Sequence, residues 1–276
     1  MGRVFVLALD GLEYDLVVKW RLKNLLQKKY GKIQVKPSYY FPNGHDVPWT
    51  AKVWSSFVTG TPPEKLGIRS FSTYGKILDF IRFLPPFKWI KNKRRFLVKI
   101  GIRPRTPTRK DMSYRTLADV VNPSVSVYFP FVDDIFNLRR FMLLFETHGA
   151  KVFEKEMLKV HRLRINLTFK MLEEEHDWKL FLTYFDAPDL MGHLHIAKRL
   201  KRLKRFYQSL DFLAYKLKKK VPEDTVFLVV SDHGMRPMPD GTGDHSHHAF
   251  WSVNIDTDWE PKDIIDFYPQ ILRWCK

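Results

Sequence analysis

Four short apolar runs alternate with helically spaced segments along this chain, and three of the four are followed within two residues by an aspartate. Residues 4–9, 125–129, 179–185 and 225–230 each have strand length and are rich in β-branched or aromatic residues, too short for buried helices. Residues 4–9 are apolar at every position, the pattern of a parallel strand buried on both faces. Between the runs, apolar residues recur at helical spacing over 16–26, 50–57, 114–121, 151–175 and 196–219. Such alternation predicts one α/β domain over residues 1–276, a three-layer α/β/α arrangement around a mostly parallel sheet. No internal repeat or low-complexity linker interrupts it.

Composition narrows the classes. With 276 residues and 45% hydrophobic content, the chain has the makeup of a folded protein with a large core. Its formal net charge of +17 favours anionic partners: phosphates, nucleic acid or an anionic membrane surface. The lone Cys275 excludes an internal disulfide framework and a thiolate-based zinc site, so any metal here takes His and carboxylate ligands. No apolar run reaches the roughly 18–20 residues of a membrane span. The opening MGRVFVLALDG reads as a core strand, not a secretory leader, which gives a cytoplasmic expectation with peripheral membrane contact as the variant. Residues 76–110 interleave Lys and Arg with Phe, Trp, Ile and Leu around Pro85-Pro86 and read as an insertion. They serve either as a solvated hairpin packed on the core or as a basic cover over a groove or lipid surface.

Chemistry concentrates where the runs end. Asp10-Gly11 follows the first, Asp186-Ala187-Pro188-Asp189 with His193 follows the third, and Ser231-Asp232-His233-Gly234 follows the fourth. The C-terminal ends of parallel strands are where open α/β sheets bind ligands. Asp189 and His193 are four apart, on one side of a helical turn, and mixed oxygen and nitrogen donors suit zinc or manganese. Asp10 reads equally as a helix cap. Thr50 opens the helical stretch after Pro48, either as an N-cap or as a hydroxyl at a helix N-terminus that welcomes phosphate.

Taken together, these residues resemble the alkaline phosphatase superfamily, and within it the type I phosphodiesterase and nucleotide pyrophosphatase branch. The matching elements are Asp10-Gly11, Thr50 ten residues before Gly60, Pro62-Pro63, Gly67-Ile68, Pro188-Asp189-x-x-Gly192-His193, Ser231-Asp232-His233-Gly234-Met235 and a later histidine, in the family's order over nearly the whole chain. The resemblance implies two divalent ions, zinc or else manganese. Asp10, Asp232 and His233 with Thr50 would hold one, and Asp189, His193 and a late histidine the other. It further implies that Thr50 is the nucleophile, giving a phosphothreonine intermediate that water cleaves. In the run GDHSHHAF the family's position favours His245, with His247 next and His248 as a neighbouring hydrogen-bonding residue.

Two departures bear on specificity. The family's nucleotide pyrophosphatases carry a His where Leu66 stands and an Asn near Phe71, and this chain has neither. Oxyanion stabilisation then falls to amides near Thr50 and Ala51, or to Lys52 or Arg69 as substrate-binding cations. The sulfatase nucleophile motif is absent. The expectation is a metal-dependent phosphohydrolase that prefers diesters to monoesters, acting on a nucleotide or phospholipid-derived ester. Its alternatives are a phosphomonoesterase or a silent polyanion-binding member.

Overall fold

The computed structural model describes residues 2–41, 45–68, 81, 84, 105, 107–133 and 138–276. Most of the 76–110 segment, together with Arg69 and Phe71, lies outside the described residues. The strands are β1 (Val4–Leu9), β2 (Lys29–Gln34), β3 (Ser124–Val127), β4 (Leu180–Phe185), β5 (Val226–Val230), β6 (Gly234–Pro237), β7 (Gly243–Ser246) and β8 (His248–Val253). The α-helices are α1 (Tyr14–Lys19), α2 (Lys23–Leu26), α3 (Thr50–Thr59), α4 (Pro63–Leu66), α5 (Leu117–Val120), α6 (Leu138–Glu174), α7 (Ala187–His195), α8 (Leu200–Lys220) and α9 (Phe267–Trp274).

Six strands form one sheet in the order β2-β8-β5-β1-β4-β3, and β6 pairs with β7 apart from it. β5, β1, β4 and β3 run parallel, while β8 is antiparallel to both β5 and β2. In-register pairing fixes where the strands stop: Leu9 lies opposite Phe185, and Ala8 opposite Val230. The three aspartate-bearing ends therefore emerge along one edge.

Alternation on β1 builds the three layers. Val4, Val6 and Ala8 face Trp54 and Phe57 of α3 and Phe267 of α9. Phe5, Leu7 and Leu9 face Leu203, Tyr207 and Leu210 of α8. Phe5 stacks between Phe181 and Phe227 at 5.0 and 4.9 Å, locking the three central strands at their N-terminal ends. Burying a side chain of this size contributes about 1.5–3 kcal/mol.

Several boundaries differ from the sequence expectation. The 16–26 pattern breaks into α1 and α2 at Arg21, whose φ is 51°. The sequence marks no strand between residues 10 and 124, yet β2 pairs with β8 along six residues. Its burial alternates weakly because β2 is a polar edge strand, so no hydrophobic period marks it. Gly149 (φ 74°) divides α6 into two helices: the second covers the stretch expected over 151–175, and the first, from Leu138, was not expected. The helix expected over 196–219 starts at Leu200, since 187–195 forms α7. Among the described residues no helix is long and apolar enough to cross a membrane.

Candidate metal centre

Asp10, Asp232 and His233 converge although they lie on two strand ends more than 220 residues apart in sequence. Asp10 follows β1, and its Oδ2 accepts the Tyr184 hydroxyl from β4. Gly11 turns the chain at φ 64°, and its amide donates to Asp232 Oδ1 at 3.2 Å. Each carboxylate thus has one oxygen tied to the protein and one turned inward. His233 Nδ1 faces the Gly234 carbonyl at 3.0 Å. A carbonyl only accepts, so Nδ1 carries the proton and the lone pair sits on Nε2. That Nε2 lies 3.4 Å from Asp10 Oδ1, 3.3 Å from Asp232 Oδ2 and 3.2 Å from Thr50 Oγ1.

A second set adjoins the first. Asp189 and His193 stand one turn apart on α7, with His193 Nε2 3.3 Å from Asp189 Oδ1. His245 reaches the same oxygen from β7 at 3.5 Å. Both imidazoles are held through Nδ1 as His233 is, His193 by the Gly243 carbonyl at 2.7 Å and His245 by that of Pro48 at 2.8 Å. The sets touch where the His233 and His245 rings stack, centroids 3.6 Å apart and planes 15° from parallel.

The electrostatics of this cluster are those of a cation site. Asp10 Oδ1, Asp189 Oδ1 and Asp232 Oδ2 are buried without a hydrogen-bond partner among the described residues. An unpartnered buried carboxylate oxygen is costly, and three of them around three imidazole Nε2 atoms form a donor set that divalent cations would satisfy. Burial, then the charges of Asp232 and Asp189, pushes the Asp10 carboxyl well above its ordinary value. Burial raises Asp232 as well. For Asp189 burial acts against the charge, but His193, His245 and His233 outweigh it and hold the group well below the usual range. Burial opposes the charge on His193, but Asp189 overcomes it and raises the group to about 9, so its Nε2 holds a proton that a cation would have to displace, whereas burial lowers His233 and His245. The donors are oxygen and nitrogen alone, three protein groups per set, a composition that fits zinc or manganese with positions left open.

Thr50 is the first residue of α3, not its cap; the cap position falls to Trp49, with no side-chain bond. Its hydroxyl is therefore turned to the cluster instead of to its own helix. Likewise Asp10 is not the cap of α1, a role taken by Glu13. Lys52 Nζ donates to the Ser38 and Tyr40 carbonyls, both at 2.8 Å, which ties the ammonium to the loop before α3. His247 Nε2 binds the Asp46 carbonyl at 2.7 Å, and His248 Nε2 binds Glu13 Oε1 at 2.8 Å. Neither joins the two sets. Beside His245, whose ring lies 6.3 Å from that of Phe41, a cleft of about 270 Å³ is lined by Phe41, His45, Asp46, Val47, Arg236 and Asp244. Sequence reading missed Tyr184, hidden within an apolar run, and Glu13, whose side-chain partners other than Asp15 lie more than 190 residues away.

A family profile described as type I phosphodiesterase / nucleotide pyrophosphatase matches residues 4–270. Comparison with curated protein sequences gives no match. Among solved structures the chain is similar to murine ectonucleotide pyrophosphatase / phosphodiesterase 5, with TM-score 0.47 and 15% identity over 86% of this chain and 59% of that one. The human counterpart gives TM-score 0.44 and 17% identity over 86% and 58%. Phosphonoacetate hydrolase from Sinorhizobium meliloti 1021, solved with phosphonoacetate, gives TM-score 0.48 and 16% identity over 87% and 58%. The chain thus spans less than two thirds of the length of each of these proteins.

Proposed function

We propose, because this chain belongs to the type I phosphodiesterase / nucleotide pyrophosphatase family, that it is a divalent-metal-dependent phosphohydrolase with Thr50 as its nucleophile and diesters as its preferred substrates. The observation that carries this reading is the convergence of two three-residue ligand sets on one strand edge, with the Thr50 hydroxyl 3.2 Å from His233 Nε2. Asp10, Asp232 and His233 would hold one ion and Asp189, His193 and His245 the other. When bound, paired ions supply positive charge that lowers the pKa of a hydroxyl and neutralises the phosphoryl oxygens during in-line displacement.

The chain's own residues do the rest. The Nδ1 hydrogen bonds to Gly234, Gly243 and Pro48 keep every imidazole in the tautomer whose Nε2 is a lone pair. Lys52 and Val53 amides turn back to the Trp49 carbonyl, so the amides of Thr50 and Ala51 stand at the open N-terminal end of α3, where a helix stabilises anionic oxygen. Thr50 Oγ attacks phosphorus, the alcohol leaves, and water then cleaves the phosphothreonine ester to release the monoester and restore the hydroxyl. A diester carries one negative charge and a monoester two, and the cleft wall, where Arg236 is already paired with Asp244 at 3.6 Å beside Asp46, holds among the described residues no surplus of fixed positive charge for the second. A nucleotide in diester linkage or a phospholipid-derived diester has a single negative charge at phosphorus.

The test compares bis(4-nitrophenyl) phosphate with 4-nitrophenyl phosphate, using protein stripped by chelator and then reloaded with zinc or manganese. Turnover that returns with the metal, with kcat/KM higher for the diester, is expected. No turnover of either ester at any metal loading would overturn the reading.

A further inference from the structure

Glu13 is a nearly fully buried carboxylate (4% exposed) outside both ligand sets, and all of its acceptor capacity is used. Oε1 accepts the Asp15 amide at 3.0 Å and His248 Nε2 at 2.8 Å. Oε2 accepts the Met235 amide at 2.7 Å and the Ser246 hydroxyl at 2.9 Å. Full use of the four positions makes the nearby Glu13, Asp15 and His248 group a clasp and not another cation site.

What the clasp holds is the β6–β7 ladder. Gly234 pairs with Ser246 and Met235 with His245, so Oε2 binds both strands on adjacent rungs. Those same rungs carry ligands of different sets: His233 immediately precedes Gly234, and His245 immediately precedes Ser246. The stacked rings of these two histidines are the place where the two sets meet. Gly234 has no side chain for a steric reason, since a Cβ there would lie 2.2 Å from Glu13 Oε2 and 2.5 Å from Ser246 Oγ. The glycine of the Asp-His-Gly-Met motif thus makes room for this carboxylate.

We propose that Glu13 is a positioning residue that sets the spacing between the two ligand sets by clamping the strands that bear His233 and His245. The inference rests on the reading of these sets as metal sites. Through the β1–α1 turn it also ties the ladder to the segment that bears Asp10, so three elements of the centre move as one.

Cobalt(II) titration followed by visible absorption and calorimetry tests this on wild type, Glu13→Gln and Ser246→Ala, each first checked for cooperative unfolding. Glutamine keeps the size but offers one acceptor oxygen in place of two. Wild type is expected to take up two cobalt ions. Glu13→Gln is expected to bind them about 10- to 100-fold more weakly with an altered absorption spectrum, and to lower kcat toward the diester at unchanged KM. Ser246→Ala, which removes only the bond on the His245 side, is expected to weaken one ion and spare the other. If Glu13→Gln does not fold, that selective loss in Ser246→Ala decides the matter alone. Variants that match wild type in affinity and spectrum would overturn the role of Glu13 while leaving the metal centre standing. A wild type that takes up no cobalt would overturn the metal centre itself, and this inference with it.

Discussion

His161 lies on α6 with its ring 5.2 Å from Phe185 and 5.4 Å from Phe206, away from the ligand sets. Burial foremost, then the charges of Arg164 and Arg162, lowers its pKa from the ordinary 6.5 to about 4. Between those values the unfolded chain binds a proton that the folded one refuses, so stability rises with pH from about 4 to about 6.5. The full effect amounts to about 3 kcal/mol. Denaturant midpoints across that window should therefore climb in wild type and climb less in His161→Leu; identical slopes would contradict the assignment. The candidate ligands differ from His161 in how legible they were. Asp10, Asp189, His193, Asp232 and His233 are marked in the sequence because each follows an apolar run within a few residues. Among His245, His247 and His248 the spacing alone does not choose, and the resemblance favours His245; what separates them in the fold is the β7 register and the Pro48 and Asp46 carbonyls that receive the first two.

At the scale of elements, the site is a property of strand ends. β1, β4 and β5 were readable because strands buried on both faces announce themselves by continuous apolar runs. β2 was not, since an edge strand with residues such as Lys29, Lys32 and Gln34 carries no such signal. The helical pattern over 151–175 begins just past the break at Gly149, whereas the α7 to α8 boundary was blurred because both helices bury apolar faces on the same layer. The turn after β1 offers a sharp test. Gly11 has φ 64°, and a Cβ there would meet Asp189 Cα at 2.7 Å. Gly11→Ala is expected to cost about 1–3 kcal/mol in urea unfolding and to displace α7, weakening metal uptake. An alanine variant with wild-type stability and metal affinity would show that the first and second sets are not held together through this turn.

At the scale of the whole molecule, one sheet edge gathers residues from position 10 to position 245, so the site and the fold stand or fall together. Bound ions stabilise only the folded state, so free zinc at a hundred times its dissociation constant should add about 2.7 kcal/mol to unfolding, seen as a rise in Tm that chelator reverses. The net charge of +17 draws anionic esters toward the protein, and kcat/KM toward diesters should fall as salt shortens the Debye length; a salt-independent value would limit that attraction to the site itself. Thr50 is proposed to perform the chemistry beside two three-residue ligand sets that come from other segments of the chain. This role is tested most directly by measuring zinc stoichiometry and diester turnover side by side in wild type and Thr50→Ala. Equal zinc content and a turnover lower by at least ~10³-fold in the variant are expected. A Thr50→Ala protein that binds zinc and hydrolyses the diester within tenfold of wild type would contradict it.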